Sequence, residues 1–157
     1  LEEVRILGWS MGGNLAVDFA LQHPERVSSL TLVAVRQFWC KEDIDCTRQG
    51  LHDVSGIGME KFYRKCFLGA KADYKHFATD LLSFYANDRD VAALDTGLTY
   101  LATHRMPQSL PLPVHIIQGT KDVVCPEHEM VHLQTRTQNT MLDGAGHFPF
   151  SRADFRL

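Results

Sequence analysis

No stretch of this 157-residue chain approaches the roughly 18 to 20 consecutive apolar residues of a membrane-spanning helix. Nothing at its start reads as a secretory leader, so a cytoplasmic location is expected, with no membrane partner. Cysteine is sparse and scattered: Cys40, Cys46, Cys66 and Cys125 form no C-x-x-C pair. That argues against zinc ligation or a disulfide framework and for reduced thiols, with no metal and no cofactor expected. An excess of charge of one sign is missing too. With 16 Lys and Arg against 19 Asp and Glu, the net charge of −3 supplies no electrostatic reason to expect nucleic acid or an anionic membrane as a main partner. Internal repeats and low-complexity tracts are also absent. What remains is 45% apolar and 22% charged, enough for one globular domain with a sizeable core.

The apolar residues change period along the chain, and this organises it. Val4 to Leu7 is a short β-rich run closed by Gly8, which suits a buried parallel strand. From Met11 to His23, Leu15, Ala16, Phe19 and Ala20 recur at helical spacing until Pro24 stops them. Val27 to Val35 reads as a second strand, completing a strand-helix-strand unit and placing the chain in the α/β class. Between Gln37 and Arg105 the period is helical, through Met59, Phe62 and Cys66, then Tyr74, Phe77 and Leu81, then Leu94, Leu98 and Leu101; three or four short helices are expected. Pro111 and Pro113 close that stretch, Val114 to Gln118 returns to a strand, Glu127 to Thr135 is expected to be a surface helix, and Thr140 to Leu142 a last short strand. The resulting division is core (1–36), helical insertion (37–110) and core (111–157).

Gly8-Trp9-Ser10-Met11-Gly12 fits G-x-S-x-G between an apolar strand and a helix, where a serine hydroxyl is lifted above the sheet on a strained turn. The N–H of Met11, at the start of the helix, is then placed to receive an oxyanion. A serine hydroxyl needs a base. His23, His52, His76, His115, His128 and His132 fall before a proline, in polar helix, inside a strand or on an expected surface helix, and are read as structural or solvated. His147 instead follows the last strand in a glycine-rich loop at the carboxyl edge of the sheet, where ligands gather in parallel α/β folds. Asp122, just past a strand end in Gly119-Thr120-Lys121-Asp122, gives the order Ser, Asp, His and is favoured over Asp143 as the residue that orients His147.

With these residues in place, the chain resembles the α/β-hydrolase superfamily over nearly its whole length. The resemblance implies the carboxyl-terminal part of a mostly parallel sheet with a helical cap insertion. More narrowly, Gly-Trp-Ser-Met-Gly-Gly-Asn-Leu-Ala at the elbow, His23-Pro24-Glu25-Arg26-Val27 after it, Gly97-Leu98 with Leu101, and Ala145-Gly146-His147-Phe148-Pro149-Phe150 are similar to the pimeloyl-acyl-carrier-protein methyl ester esterases of biotin synthesis. That resemblance implies a cap over the serine, with Phe67, Leu68, Gly69, Ala70 and Lys71 at the substrate and Trp9 and Phe148 as further apolar walls. It also implies an acidic acyl carrier protein docking on a basic cap face at Lys61, Arg64 and Lys65, with Lys71 and Lys75 nearby. A plain solvated helix face is the alternative for that charge, and both stay open. Arg105-Met106-Pro107 departs from the family's turn after the last cap helix. Beginning at Leu1 and ending at Leu157, the chain is read as a fragment without the family's first strands and second oxyanion donor, and is expected to fold poorly and be inactive alone.

The resemblance implies a serine carboxylesterase acting on an ester by acyl transfer to water. The alternatives on the same frame are a general carboxylesterase, a lactonase or a carbon–carbon bond hydrolase, and, from another class, a non-catalytic binding domain.

Overall fold

The computed structural model describes residues 3–87 and 89–157. Four strands, β1 (Val4–Trp9), β2 (Val27–Val33), β3 (Val114–Gly119) and β4 (Thr137–Leu142), form one all-parallel sheet in the order β1-β2-β3-β4. Helix α1 (Met11–Gln22) crosses from β1 to β2, and α2 (Lys41–His52), α3 (Ile57–Cys66), α4 (Lys71–Asp80), α5 (Leu82–Asn87) and α6 (Val91–Thr103) all fall between β2 and β3. The register sets Leu32 beside Gly8 on one flank and Ile116 on the other, so the carboxyl ends of the strands finish at one edge.

Alternation sorts the strand residues between the two faces of the sheet. Leu30, Leu32, Val114 and Ile116 pack with Ala16, Val17 and Ala20 of α1, whose small side chains let the helix lie close. The opposite face is filled only near its carboxyl end, where Val33, Ile117, Leu142 and Ala145 meet Phe150 and Phe155. A third cluster, Trp39, Ile44, Cys66, Leu101 and Val124, joins the helical segment to the loop after β3. Local signals explain the helix limits: Asp90 accepts a hydrogen bond from the Ala93 N–H at the start of α6, and Pro24 follows the end of α1.

Four expectations are corrected. Residues 127–135 make one 3-10 turn, Glu127–Glu129, and no longer helix, so His128 and His132 do not stand on one. The backbone there is engaged elsewhere: the Val131 N–H donates to the Val35 carbonyl (2.8 Å), the Gln37 N–H to Glu129 (2.9 Å), and Arg36 bridges Met130 in antiparallel sense. Strand β2 stops at Val33 rather than Val35, because Ala34 turns to φ 54°, a conformation that costs a non-glycine residue about 1–2 kcal/mol. Strand β4 begins at Thr137, three residues before Thr140; Thr137, Gln138 and Asn139 are polar and sit on the exposed sheet edge. Among the described residues the helical stretch holds five helices, not three or four. Among the described residues no helix is long and apolar enough to cross a membrane.

Candidate active site

The sheet edge and α1 meet at Ser10, which has φ 53° and ψ −127°. Its N–H donates to the Val33 carbonyl (2.9 Å), and its own carbonyl accepts from Gly13. The turn is this tight because strand and helix nearly touch: a Cβ on Gly8 would lie 2.5 Å from the Gly13 Cα, and one on Gly13 would lie 2.3 Å from the Val35 side chain. Gly12, the last glycine of the motif, faces open space, so the steric demand rests on Gly8 and Gly13. Met11 is the first residue of α1, where the helix leaves amide hydrogens without partners in its own ladder and carries positive potential.

Ser10, Asp122 and His147 come together from three separate places in the chain. His147 Nε2 lies 2.9 Å from Ser10 Oγ, and its Nδ1 lies 2.8 Å from Asp122 Oδ2. Both partners of the second contact are shielded from water, with side-chain exposures of 1% for His147 and 0% for Asp122. An ionised carboxylate only accepts, so Nδ1 carries the proton and Nε2 is free to take one from the serine. Asp122 Oδ1 accepts from the N–H groups of Val124 and Cys125, both at 2.8 Å, and Oδ2 accepts from Gln118 Nε2 at 3.2 Å as well as from His147. Asp143, the rival acid, accepts instead from the Thr120 hydroxyl in an exposed turn. Trp9 Nε1 donates to the His147 carbonyl (2.8 Å), and the Phe148 N–H donates to the carbonyl of Cys66 at the end of α3.

The loop that carries His147 is pressed against the helical segment. A Cβ on Gly146 would lie 2.1 Å from the Leu68 carbonyl oxygen, and one on Gly69 would lie 2.6 Å from that of Gly144. Above Ser10 is a cavity of about 700 Å³ lined mainly by apolar and aromatic side chains, within the usual range of ligand pockets. A smaller cavity of about 190 Å³ adjoins it at Ser10, Met11, Phe62 and Leu94. Trp9, Phe67 and Phe148 line the larger cavity. Leu68, Gly69, Ala70 and Lys71, expected at the substrate, are not among its lining residues; the first two lie against the Gly144–Gly146 turn instead.

Several lining residues escaped the sequence reading. Asp73, His76, Phe77 and Asp80 reach the cavity from α4, and Asp73 also accepts from Ser151. Their helical spacing was a weak signal, since polar residues on a short helix read as solvated. Cys66 also lines the cavity, its thiol pushed up to about 12 by burial and then by the charge of Asp122. His104 carries no signal in the sequence. It joins α6 to α1, with Nδ1 3.0 Å from Asn14 Nδ2 and Nε2 3.0 Å from Asp18 Oδ1, while the Tyr100 hydroxyl donates to Asp18 Oδ2. Burial and that bond push the Tyr100 phenol well above its ordinary range. The four cysteines are free, and no cluster of three metal-ligating side chains exists among the described residues.

Comparison with known proteins agrees with this architecture. The sequence profile of the alpha/beta hydrolase fold matches residues 1–74. The chain is 30% identical over 162 aligned positions to the pimeloyl-[acyl-carrier protein] methyl ester esterase of Aliivibrio salmonicida, covering 92% of this chain and 61% of that protein. The like-named protein of Nitrosomonas europaea is also 30% identical, with 92% and 64% covered. The chain thus spans about three fifths of the length of the curated relatives it matches. Among solved structures, MGS-M2, an alpha/beta hydrolase enzyme from a Medee basin deep-sea metagenome library, superposes with a TM-score of 0.78 at 17% identity, over 96% of this chain and 60% of that one. An esterase from Exiguobacterium antarcticum gives 0.73 at 19% identity, over 96% and 62%.

Proposed function

We propose, from the premise that this chain belongs to the α/β-hydrolase fold family, that the protein carrying it is a serine carboxylic-ester hydrolase with Ser10 as nucleophile, His147 as base and Asp122 as its orienting acid. The observation that carries this is the unbroken line from Ser10 Oγ through both nitrogens of His147 to Asp122, buried along its His147–Asp122 part and set on a strained turn at the foot of an apolar cavity. His147 takes the hydroxyl proton as Ser10 Oγ attacks the ester carbonyl. Negative charge then develops on the carbonyl oxygen, where the Met11 N–H and the positive end of α1 receive it. The alcohol leaves with the proton from His147; water then attacks the acyl-serine, passing a proton to His147, which returns it to Ser10 Oγ as the acyl–oxygen bond breaks and the carboxylic acid departs.

The finer reading is the methyl ester of pimeloyl-acyl-carrier protein, hydrolysed to methanol in the cytoplasm as a step of biotin synthesis. Two things support it: the identity of about 30% to proteins of that name, and the exposure of Lys61, Arg64 and Lys65 on α3, a face suited to an acidic carrier. A second reading, a general carboxylesterase, lactonase or carbon–carbon bond hydrolase, is favoured by Asp73 and Asp80 in the cavity lining and by the position of Leu68–Lys71 outside it. The test compares hydrolysis of methyl pimeloyl-carrier protein with that of free short p-nitrophenyl esters by the whole protein and its Ser10→Ala variant. Preference for the carrier-bound ester, reduced about 10⁴-fold or more in the variant, is the expected outcome. Equal or better turnover of the free esters selects the second reading. Turnover that persists in Ser10→Ala removes Ser10 as the nucleophile, whereas no turnover of any ester by the unaltered protein leaves a non-catalytic binding domain.

A further inference from the structure

Gln118 is the next-to-last residue of β3 and is 1% exposed, an unusual place for a primary amide. Its neighbours in the strand, Ile116 and Ile117, fill the two apolar clusters, and nothing in that pattern calls for a polar side chain. Its Nε2 donates to the Cys125 carbonyl (2.6 Å) and to Asp122 Oδ2 (3.2 Å), and its Oε1 accepts from the Cys125 thiol (3.6 Å). With the Gly119 carbonyl at 3.4 Å as a third and longest acceptor, three oxygens on one side and a thiol on the other leave the amide a single sensible orientation. The oxygen of Asp122 that it reaches is the one that also faces His147 Nδ1.

The geometry points to Gln118 as a positioning residue for the proposed reaction, one that acts through Asp122 to hold the carboxylate in place and to moderate its pull on His147. The inference rests on the serine-hydrolase reading. A second donor on Oδ2 draws charge from the oxygen that stabilises the imidazolium formed during catalysis. Without it, Asp122 favours protonated His147 more strongly, and the base is lost to protonation at a higher pH. The bond to the Cys125 carbonyl holds the loop whose Val124 and Cys125 N–H groups bind the other carboxylate oxygen of Asp122. Asp73, His76 and Asp80 of α4 share the cavity lining with His147 and are the same in the variant and the unaltered protein, so they do not contribute to a displacement between the two. Cys66 of α3 and Cys125 of the acid's own loop are thiols pushed up by burial and so uncharged near neutrality. Arg36, which donates to the Val124 carbonyl, is itself paired with Asp43 of α2 and Glu129.

The experiment is the pH profile of kcat/KM for the whole protein with Gln118→Met, a variant close in size that donates nothing. Ser10 is labelled in parallel with a fluorophosphonate. The expected result is an acid limb displaced upward by about half a unit, with the plateau lowered several-fold and KM little changed. Cys125→Ala, which keeps the carbonyl that Gln118 uses, leaves the limb in place. A limb that stays put or moves down in Gln118→Met, with activity falling only with the folded fraction, overturns the proposal and leaves Gln118 a packing residue. Should Gln118→Met fail to fold, the side-chain amide protons of Gln118 in the unaltered protein are followed by NMR. They are expected to shift with the His147 midpoint, and amide signals indifferent to that titration overturn the proposal. Absence of label on Ser10 defeats the serine reading itself, an outcome distinct from either result for Gln118.

Discussion

Below the cavity, Asp122, Gln118 and His147 are almost fully buried and each side-chain nitrogen and oxygen has a partner; above it, α4 buries none of its residues. The floor is held by backbone: strand ends, the elbow, and loops whose glycines meet other main chain at distances no Cβ survives. The roof is held by rings. Phe67 lies 5.1 Å from Phe77, Tyr63 lies 5.1 Å from Phe77, and Phe77 lies 5.8 Å from Tyr85, while the side-chain hydrogen bonds of α4, from Arg64 to the Tyr74 hydroxyl and from Ser151 to Asp73, are exposed to water. One ring contact joins the two regions, Phe67 to Phe148 at 4.8 Å, beside the Leu68–Gly146 contact. Hydrogen-bonded geometry fixes proton transfer to within tenths of an ångström, whereas stacked rings can slide at little cost. The division assigns chemistry to the floor and choice of substrate to the roof, so substitutions in the two should fail in different kinetic constants.

The largest effect is expected from Asp122→Asn. An asparagine of the same shape turns an amide toward donors at Val124, Cys125 or His147, and favours the wrong imidazole tautomer. Turnover should fall about 10⁴-fold with KM nearly unchanged. A loss of less than tenfold would mean that the floor's hydrogen bonds are structural and not part of the reaction. Gly146→Ala comes next, because it acts at the seam. The added carbon meets the Leu68 carbonyl at 2.1 Å, and neither main chain can yield without moving His147 or the end of α3. About 1–3 kcal/mol of stability and on the order of 10² in turnover should be lost, measured by denaturant unfolding and by kcat.

Phe77→Ala tests the other side. It removes a ring that lines the cavity and contacts three other rings near 5 to 6 Å, yet touches none of the reacting residues. KM for long-chain esters should rise about tenfold, with kcat changed by less than about threefold. If kcat collapses while KM holds, roof and floor are one mechanical unit and the contrast fails.

How much of this was legible in the sequence also follows the division. The floor could be read because each demand on it is local: a glycine-flanked serine between strand and helix, an aspartate just past one strand end, a histidine in a glycine-rich loop past another. Ser10, Asp122 and His147 were named on those grounds and stand within hydrogen-bond reach of one another. Gln118 was not, because a single polar residue ending an apolar strand has no periodicity to betray it. The roof resisted for a related reason. Helical period found the helices, but α4 is bounded by rings contributed from α3, from Phe67 just past it and from α5, and Phe67 in turn meets Phe148 of the loop after β4, which no local pattern reveals. The expected helix at 127–135 failed for want of knowledge of its partner, since the chain after β2 takes its backbone groups.

The smallest effect is expected where roof and floor are tied by charge. Arg36, 5% exposed and three residues past β2, reaches Asp43 of α2 at 2.6 Å, Glu129 at 2.8 Å and the Val124 carbonyl at 2.7 Å, with its guanidinium 4.1 Å above the Trp39 ring. The hydrogen bond from Arg36 holds the Asp43 carboxyl below its ordinary 3.8, outweighing the opposing effect of burial. A carboxyl depressed by folding adds stability that is present above its unfolded value and is lost as pH falls through the folded one. The tie should therefore be intact at neutral pH and weaken only below about pH 4. Its size is limited, because the Asp43 side chain is 44% exposed and screened by water, and because Arg36 keeps Glu129 and Val124 when Asp43 is gone. Asp43→Asn should cost less than about 1 kcal/mol at pH 7, a loss of a few degrees in Tm, and less still at pH 3. A Tm difference that is the same at both pH values would show that α2 is held to the floor by packing of Ile44 and Trp39 rather than by the ion pair.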